Sequence, residues 1–148
     1  LGFQDFTESE REKFISLRRK PIEDGTDLKT MAISVANTLI GKKSNTLAYG
    51  KLVKSMEKLH RKTYLKAINS FVNSTHYEFF PSLDIPVLVV VGELDNLTPV
   101  SMGKEITAKI KGSILEVIPN AGHLSNIENS VEFNKVVLAF LSKVGNTF

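Results

Sequence analysis

A chain of 148 residues is long enough for one domain that buries about 70% of its unfolded surface. With 42% hydrophobic and 24% charged residues it is neither a disordered tail, a collagen-like repeat nor an integral membrane protein. The net charge of +3 is uneven, with 14 Lys/Arg against 9 Asp/Glu in residues 1–78 and 5 against 7 in residues 79–148. The basic residues interleave with acids and helix-spaced apolar residues, which describes a solvated helical face and excludes nucleic acid as a partner.

The absence of cysteine removes disulfides, thiolate nucleophiles and Cys-based metal sites. His60, His76 and His123 are the remaining imidazoles, and neither a metal nor a cofactor is expected. The first thirty residues carry Glu8, Glu10, Arg11, Glu12, Lys13 and Arg18 where a signal peptide would have an apolar stretch, and the chain opens on Leu1. A cytoplasmic protein, without its true start and without a membrane partner, is the expectation.

Thr7-Glu8-Ser9-Glu10 fits a capping box, in which a hydroxyl and a carboxylate three residues apart satisfy free N–H groups, and it predicts a helix over 8–19. Past a turn around Pro21 and Gly25, Leu28, Met31, Ala32, Val35, Ala36 and Leu39 recur at three- and four-residue intervals. They predict an amphipathic helix stopped by Gly41. A third helix is predicted over 46–59 through Leu52, Val53 and Met56, and a fourth over 63–72 through Ala67, Ile68 and Phe71. Residues 1–75 thus read as all helix.

The pattern then changes. Ile85-Pro86-Val87-Leu88-Val89-Val90-Val91 is a continuous β-branched run closed by Gly92, the signature of a strand buried on both faces of a parallel sheet. A helix follows, with Thr98 as cap, Pro99 in the first turn, Ile106 and Ile110 on its buried face, and Gly112 beyond Lys109 and Lys111. Residues 113–118 form a second strand, so strand, helix and strand make a right-handed βαβ unit with adjacent strands. The last helix starts near Asn129 or Ser130, with Glu132 closing an Asn-x-x-Glu box. Its stripe of Phe133, Val136, Val137, Phe140, Leu141 and Val144 should cover one face of the sheet. Two parallel strands and two helices do not bury both faces of a sheet, which points to a missing segment upstream.

Functional groups in parallel sheets gather beyond the carboxyl ends of the strands. The two loops there read Gly92-Glu93-Leu94-Asp95-Asn96-Leu97-Thr98-Pro99 and Pro119-Asn120-Ala121-Gly122-His123. On strands about 4.8 Å apart, Asp95 can accept the Nδ1–H of His123, fix its tautomer and leave Nε2 as a general base. Glu93 is a reserve acid. Glu128 reads as a surface or helix-entry carboxylate.

These motifs, with Phe133-Asn134 ahead of Phe140-Leu141, resemble the C-terminal third of an α/β-hydrolase. In that family the acid follows the penultimate strand and the histidine the last. The resemblance implies an α/β fold in which residues 1–78 form a helical cap or lid and residues 79–148 the C-terminal part of the core. Asp95 and His123 would be catalytic, in a compact esterase, lactonase or carbon–carbon bond hydrolase acting on a small-molecule ester, lactone or similar carbonyl. The departure is large, since no glycine is followed two positions later by serine and Gly-x-Ser-x-Gly is absent. The nucleophile would then come from an N-terminal half, and the chain alone would be inactive.

Two rivals stand beside this. A dehalogenase- or epoxide-hydrolase-type member would use an aspartate nucleophile. A non-catalytic fragment would associate with another chain, or with itself, through the open edge of the 87–91 strand. Elsewhere, His60 among Lys58, Arg61, Lys62 and Lys66 reads as a solvated face, and His76 as a linker residue. Met31, Met56 and Phe71 either line an apolar pocket under the lid or pack between its helices.

Overall fold

The computed structural model describes residues 7–42, 45–72 and 77–145; His76 lies outside them. The chain divides into two units, residues 1–36 with 50–78, and residues 37–49 with 79–148.

The first unit is helical: α1 (Glu8–Glu23), most of α2 (Leu28–Leu39) and α3 (Thr46–Met56), and α4 (Arg61–Val72). The capping box is formed, with the Thr7 Oγ1 accepting from the Glu10 N–H and the Glu10 carboxylate accepting from the Thr7 N–H. Helix α1 outruns the predicted 8–19 and carries Pro21 in its last turn, where a missing N–H costs the ladder a single bond. Helix α3 is shorter than predicted: Lys58 and Leu59 donate to carbonyls three residues back, a tightened turn that ends the helix before His60. Ile22, Met31, Ala32 and Met56 form the core, with Leu52, Tyr64 and Leu65 packed against it. The Arg18 guanidinium lies 3.6 Å from the Phe14 ring centroid and near the Tyr64 hydroxyl. Burial lowers the Arg18 pKa and raises that of Tyr64, each against the opposing pull of the other.

A 3-10 turn (Tyr77–Ser82) leads into the second unit and its β1 (Leu88–Gly92), α5 (Val100–Lys109), β2 (Ile114–Ile118), a short α6 (Ser125–Glu128) and α7 (Ser130–Gly145). The strands are parallel and adjacent, with Leu88 opposite Ile114 and Gly92 opposite Ile118. Strand β1 begins three residues later than the apolar run, because Pro86 has no N–H for the ladder. Residues 88–90 are half-buried, and full burial comes at Val91 and Gly92, so this strand is not covered on both faces. Helix α5 packs on β1 through Gly103, where a Cβ would lie 2.7 Å from the Val91 side chain. Val91, Ile106, Ile110 and Ile118 are each buried in this unit.

Helix α7 covers less than its stripe suggests. Val136 and Phe140 line a cleft of about 270 Å³ with Leu88 and Ile114, but no α7 residue is fully buried, and Val131, Leu138 and Leu141 are exposed. The Asn129 side chain caps it by accepting from the Glu132 N–H, but Glu132 pairs with Lys135 and the Asn129 N–H goes to the Ser125 carbonyl. The expected reciprocal box is therefore half formed. No helix among the described residues is long and apolar enough to cross a membrane.

Candidate active site

The loops that leave β1 and β2 are joined through the backbone. Glu93 N–H donates to the Ile118 carbonyl at 2.9 Å and Leu94 N–H to the Ala121 carbonyl at 2.8 Å. Glu93 adds its carboxylate, which accepts from the Asn120 N–H at 2.8 Å while Asn120 sits at φ 57. The reserve acid thus braces the turn before the histidine. Gly92 permits the approach, since a Cβ there would lie 2.0 Å from the Gly122 carbonyl oxygen.

This arrangement brings Asp95 and His123 together, with Nδ1 2.9 Å from Oδ2. The Asp95 side chain is 4% exposed and that of His123 32%. Oδ1 accepts the N–H groups of Leu97 and Thr98, each at 2.9 Å, and Oδ2 accepts the Thr98 hydroxyl at 2.5 Å. Burial pushes the Asp95 carboxyl up, but the Thr98 hydroxyl, the Thr98 N–H, the His123 ring and the Leu97 N–H together hold it below the ordinary carboxylate value. The site therefore holds a desolvated anion against one ring nitrogen, an arrangement able to stabilise an imidazolium.

Thr98 was expected as the cap of α5. Instead Pro99 occupies that position without a side-chain cap bond, and Thr98 serves Asp95. The signal was present in the sequence: Asp-x-x-Thr is a spacing at which a carboxylate takes the N–H groups two and three residues on. Glu128 departs from expectation more strongly. Its carboxylate accepts the Gly41 N–H at 2.8 Å and the Leu124 N–H at 3.2 Å, and its carbonyl accepts the Asn45 side-chain amide at 3.0 Å. The His123 N–H donates to the Leu39 carbonyl at 2.9 Å, and Lys42 Nζ reaches the Asn120 side chain. Gly41 and Gly122 touch backbone to backbone; a Cβ on either would lie within 2.6 Å of the other's backbone nitrogen. Leu39, Gly41, Lys42 and Asn45 thus form one wall of the histidine loop, a contact 78 or more residues apart in sequence that no local pattern announces.

The remaining candidates belong to the helical unit. Met31 and Met56 are buried in the helical core, Phe71 is 46% exposed, and His60 is exposed at the start of α4. Among the described residues no group of three or more His, Asp or Glu is placed to hold a metal ion.

Comparisons with known proteins assign the fold to a family. The sequence profile of the alpha/beta hydrolase fold family matches residues 11–130. The chain belongs to that family. It is 28% identical over 102 residues to a 3-oxoadipate enol-lactonase of Acinetobacter baylyi, covering 69% of this chain and 38% of the relative. It is 32% identical over 89 residues to the mouse monoacylglycerol lipase ABHD6, covering 60% of this chain and 26% of that protein. Among solved structures, the enol-lactonase from Burkholderia xenovorans superposes with a TM-score of 0.79 at 19% identity, covering 88% of this chain and 50% of that one. A thermophilic esterase from Thermogutta terrifontis gives 0.78 at 20% identity, with 94% and 52% covered. The structural likeness establishes the fold. The chain spans about half of those structures and a quarter to two-fifths of the two sequence relatives.

Proposed function

We propose that this chain is the acid-and-histidine portion of a serine hydrolase acting on an ester, lactone or similar activated carbonyl. The observation that carries it is the 2.9 Å contact between His123 Nδ1 and a carboxylate already held by three other donors. With Asp95 orienting the ring, Nε2 takes the proton of a serine hydroxyl as its oxygen bonds to the carbonyl carbon. The imidazolium then returns that proton to the leaving oxygen as the acyl carbon–oxygen bond breaks. Water repeats the sequence on the acyl-enzyme, releasing the acid and the free serine. The serine comes from polypeptide outside these 148 residues, since Gly-x-Ser-x-Gly is absent, and the helices of residues 1–78 correspond to the family's cap. The lactonase and lipase named among the relatives support the carbonyl chemistry. By itself the chain turns over no ester faster than free imidazole does.

The test is assembly with the polypeptide carrying the nucleophile, followed by hydrolysis of a p-nitrophenyl ester. His123→Ala should lower kcat by about 10³-fold or more with the fold retained. An assembled enzyme that keeps near-normal kcat with this change would overturn the reading. Mass spectrometry of the trapped acyl-enzyme separates a serine from an aspartate nucleophile.

A second reading, a non-catalytic fragment that associates through its open sheet, is favoured by one observation. Among the described residues β1 pairs with β2 alone, while Ile85, Val131, Leu138 and Leu141 are exposed. Light scattering after size exclusion tests it: a well-folded monomer argues against association, and a dimer or a complex with an N-terminal piece supports it.

A further inference from the structure

Thr98 sits against both members of the Asp95–His123 pair, with Oγ1 2.5 Å from Asp95 Oδ2 and 3.2 Å from His123 Nδ1. A hydroxyl has one proton to give and two lone pairs with which to accept. At 2.5 Å from an ionised carboxylate oxygen that proton must lie between Oγ1 and Oδ2, the length of a charge-assisted O–H···O⁻ bond. The oxygen that Thr98 shows to His123 is therefore an acceptor, and so is Oδ2. Were Nδ1 unprotonated, its lone pair would face those of Oδ2 and Oγ1 with no proton between the ring and either oxygen. The contact is consistent only with a protonated Nδ1, shared between Oδ2 and Oγ1.

We propose that Thr98 is a positioning residue of this site: its hydroxyl anchors Oδ2 of Asp95 toward the ring and accepts from His123 Nδ1–H, committing the imidazole to the tautomer whose free lone pair is on Nε2. This rests on the reading of Asp95 and His123 as the catalytic pair. A carboxylate held at one oxygen alone keeps a torsional freedom about Cβ–Cγ. With Oδ1 held by the Leu97 and Thr98 N–H groups and Oδ2 by the Thr98 hydroxyl, the carboxylate plane is set before the histidine arrives. One residue thus supplies a backbone donor, a side-chain donor and a side-chain acceptor to the same site.

The experiment reads the ring nitrogens of His123 directly, in long-range proton–nitrogen correlation spectra of the 148-residue chain carrying isotope-labelled histidine. The His123 signals are assigned by their loss in His123→Gln. In the unmodified chain above the imidazole titration, His123 should show a single tautomer, protonated at Nδ1. Thr98→Val, which keeps the shape and removes the hydroxyl, should give a mixture containing the Nε2–H form. It should also raise the Asp95 carboxyl titration, read from its carbon shift. Thr98→Ala should do the same, and Thr98→Ser should restore the single tautomer. A purely structural role predicts equal loss of folding stability for valine and serine with the tautomer unmoved in both.

A single Nδ1–H tautomer persisting in both Thr98→Val and Thr98→Ala would overturn the proposal, as would an Nε2–H form in the unmodified chain. Asp95→Asn keeps this failure apart from failure of the pair itself. If His123 responds to Asp95→Asn but to no Thr98 change, the pair stands and Thr98 falls. If His123 responds to neither, the pair falls with it.

Discussion

Asp27 and Asp95 begin the same four-residue turn in two different units of the molecule. In Asp27-Leu28-Lys29-Thr30 the carboxylate accepts the Thr30 N–H at 2.9 Å and the Thr30 hydroxyl at 2.7 Å. In Asp95-Asn96-Leu97-Thr98 the corresponding distances are 2.9 and 2.5 Å. Both carboxyls are held below their ordinary value, Asp27 by the Thr30 N–H and hydroxyl, Asp95 by the same kind of bonds acting against burial. Asp27 is exposed and starts a helix; Asp95 is buried and carries a histidine as well. The chemistry of the local turn is therefore common to both, and the difference lies in what tertiary structure brings to the second carboxylate oxygen. A turn residue and a residue that orients an imidazole are not competing descriptions of Asp95, since the first makes the second possible.

The largest way to break this comparison is to remove the scaffold under the second turn. Gly92→Ala would set a Cβ 2.0 Å from the Gly122 oxygen and 2.5 Å from the Ala121 oxygen, both backbone. A cost of more than about 3 kcal/mol is expected, read as loss of the second unit's cooperative transition in urea. Next comes Asp95→Ala, which strips the partner from four donors at a side chain 4% exposed. About 3 kcal/mol of stability should be lost by the same measurement.

Glu128→Ala should cost about 1–2 kcal/mol by orphaning the Gly41 and Leu124 N–H groups. Amide exchange at Gly41 and His123 should speed up, while exchange in the helical core around Met31 stays as it is. Asp27→Ala sharpens the comparison from the other side. It should accelerate amide exchange at Thr30 and Met31 at the start of α2 and leave the His123 ring signals unmoved.

Acid gives the smallest and most selective effect. Each aspartate is held below an unfolded value of 3.8, so its stabilisation is complete above that pH and is lost as pH falls through the lower folded value. Urea midpoints followed between about pH 2 and pH 6 should therefore decline on the acid side. Asp95→Asn should flatten that decline for the second unit, and Asp27→Asn for the helical one. An unchanged slope in Asp95→Asn would mean that the carboxylate is not held as the geometry describes.

Much of this was readable along the chain because it rests on local forces. The Thr7–Glu10 box, the 3.6-residue stripe of α2 and the β-branched run ending at Gly92 each depend on neighbours within a turn or two, and so did the place of Asp95 just beyond a strand. The order of strand, helix and strand was enough to make the two strands adjacent, since crossover handedness leaves few alternatives. What the sequence could not show was contact between segments distant along the chain. The wall of Leu39, Gly41, Lys42 and Asn45 against the histidine loop, the inward turn of Glu128 and the backbone contact of Gly41 with Gly122 arise only when those segments meet in space. The same limit explains α7: its apolar stripe is written in the sequence, but how much of it is covered depends on how many strands lie beneath, and the described residues supply two. Sequence alone placed Asp95 and His123 on the loops that follow two successive strands. Tertiary structure decided their partners, because a hydrogen bond of 2.9 Å between residues 28 apart is set by the packing of the scaffold beneath both loops and by no property of either residue alone.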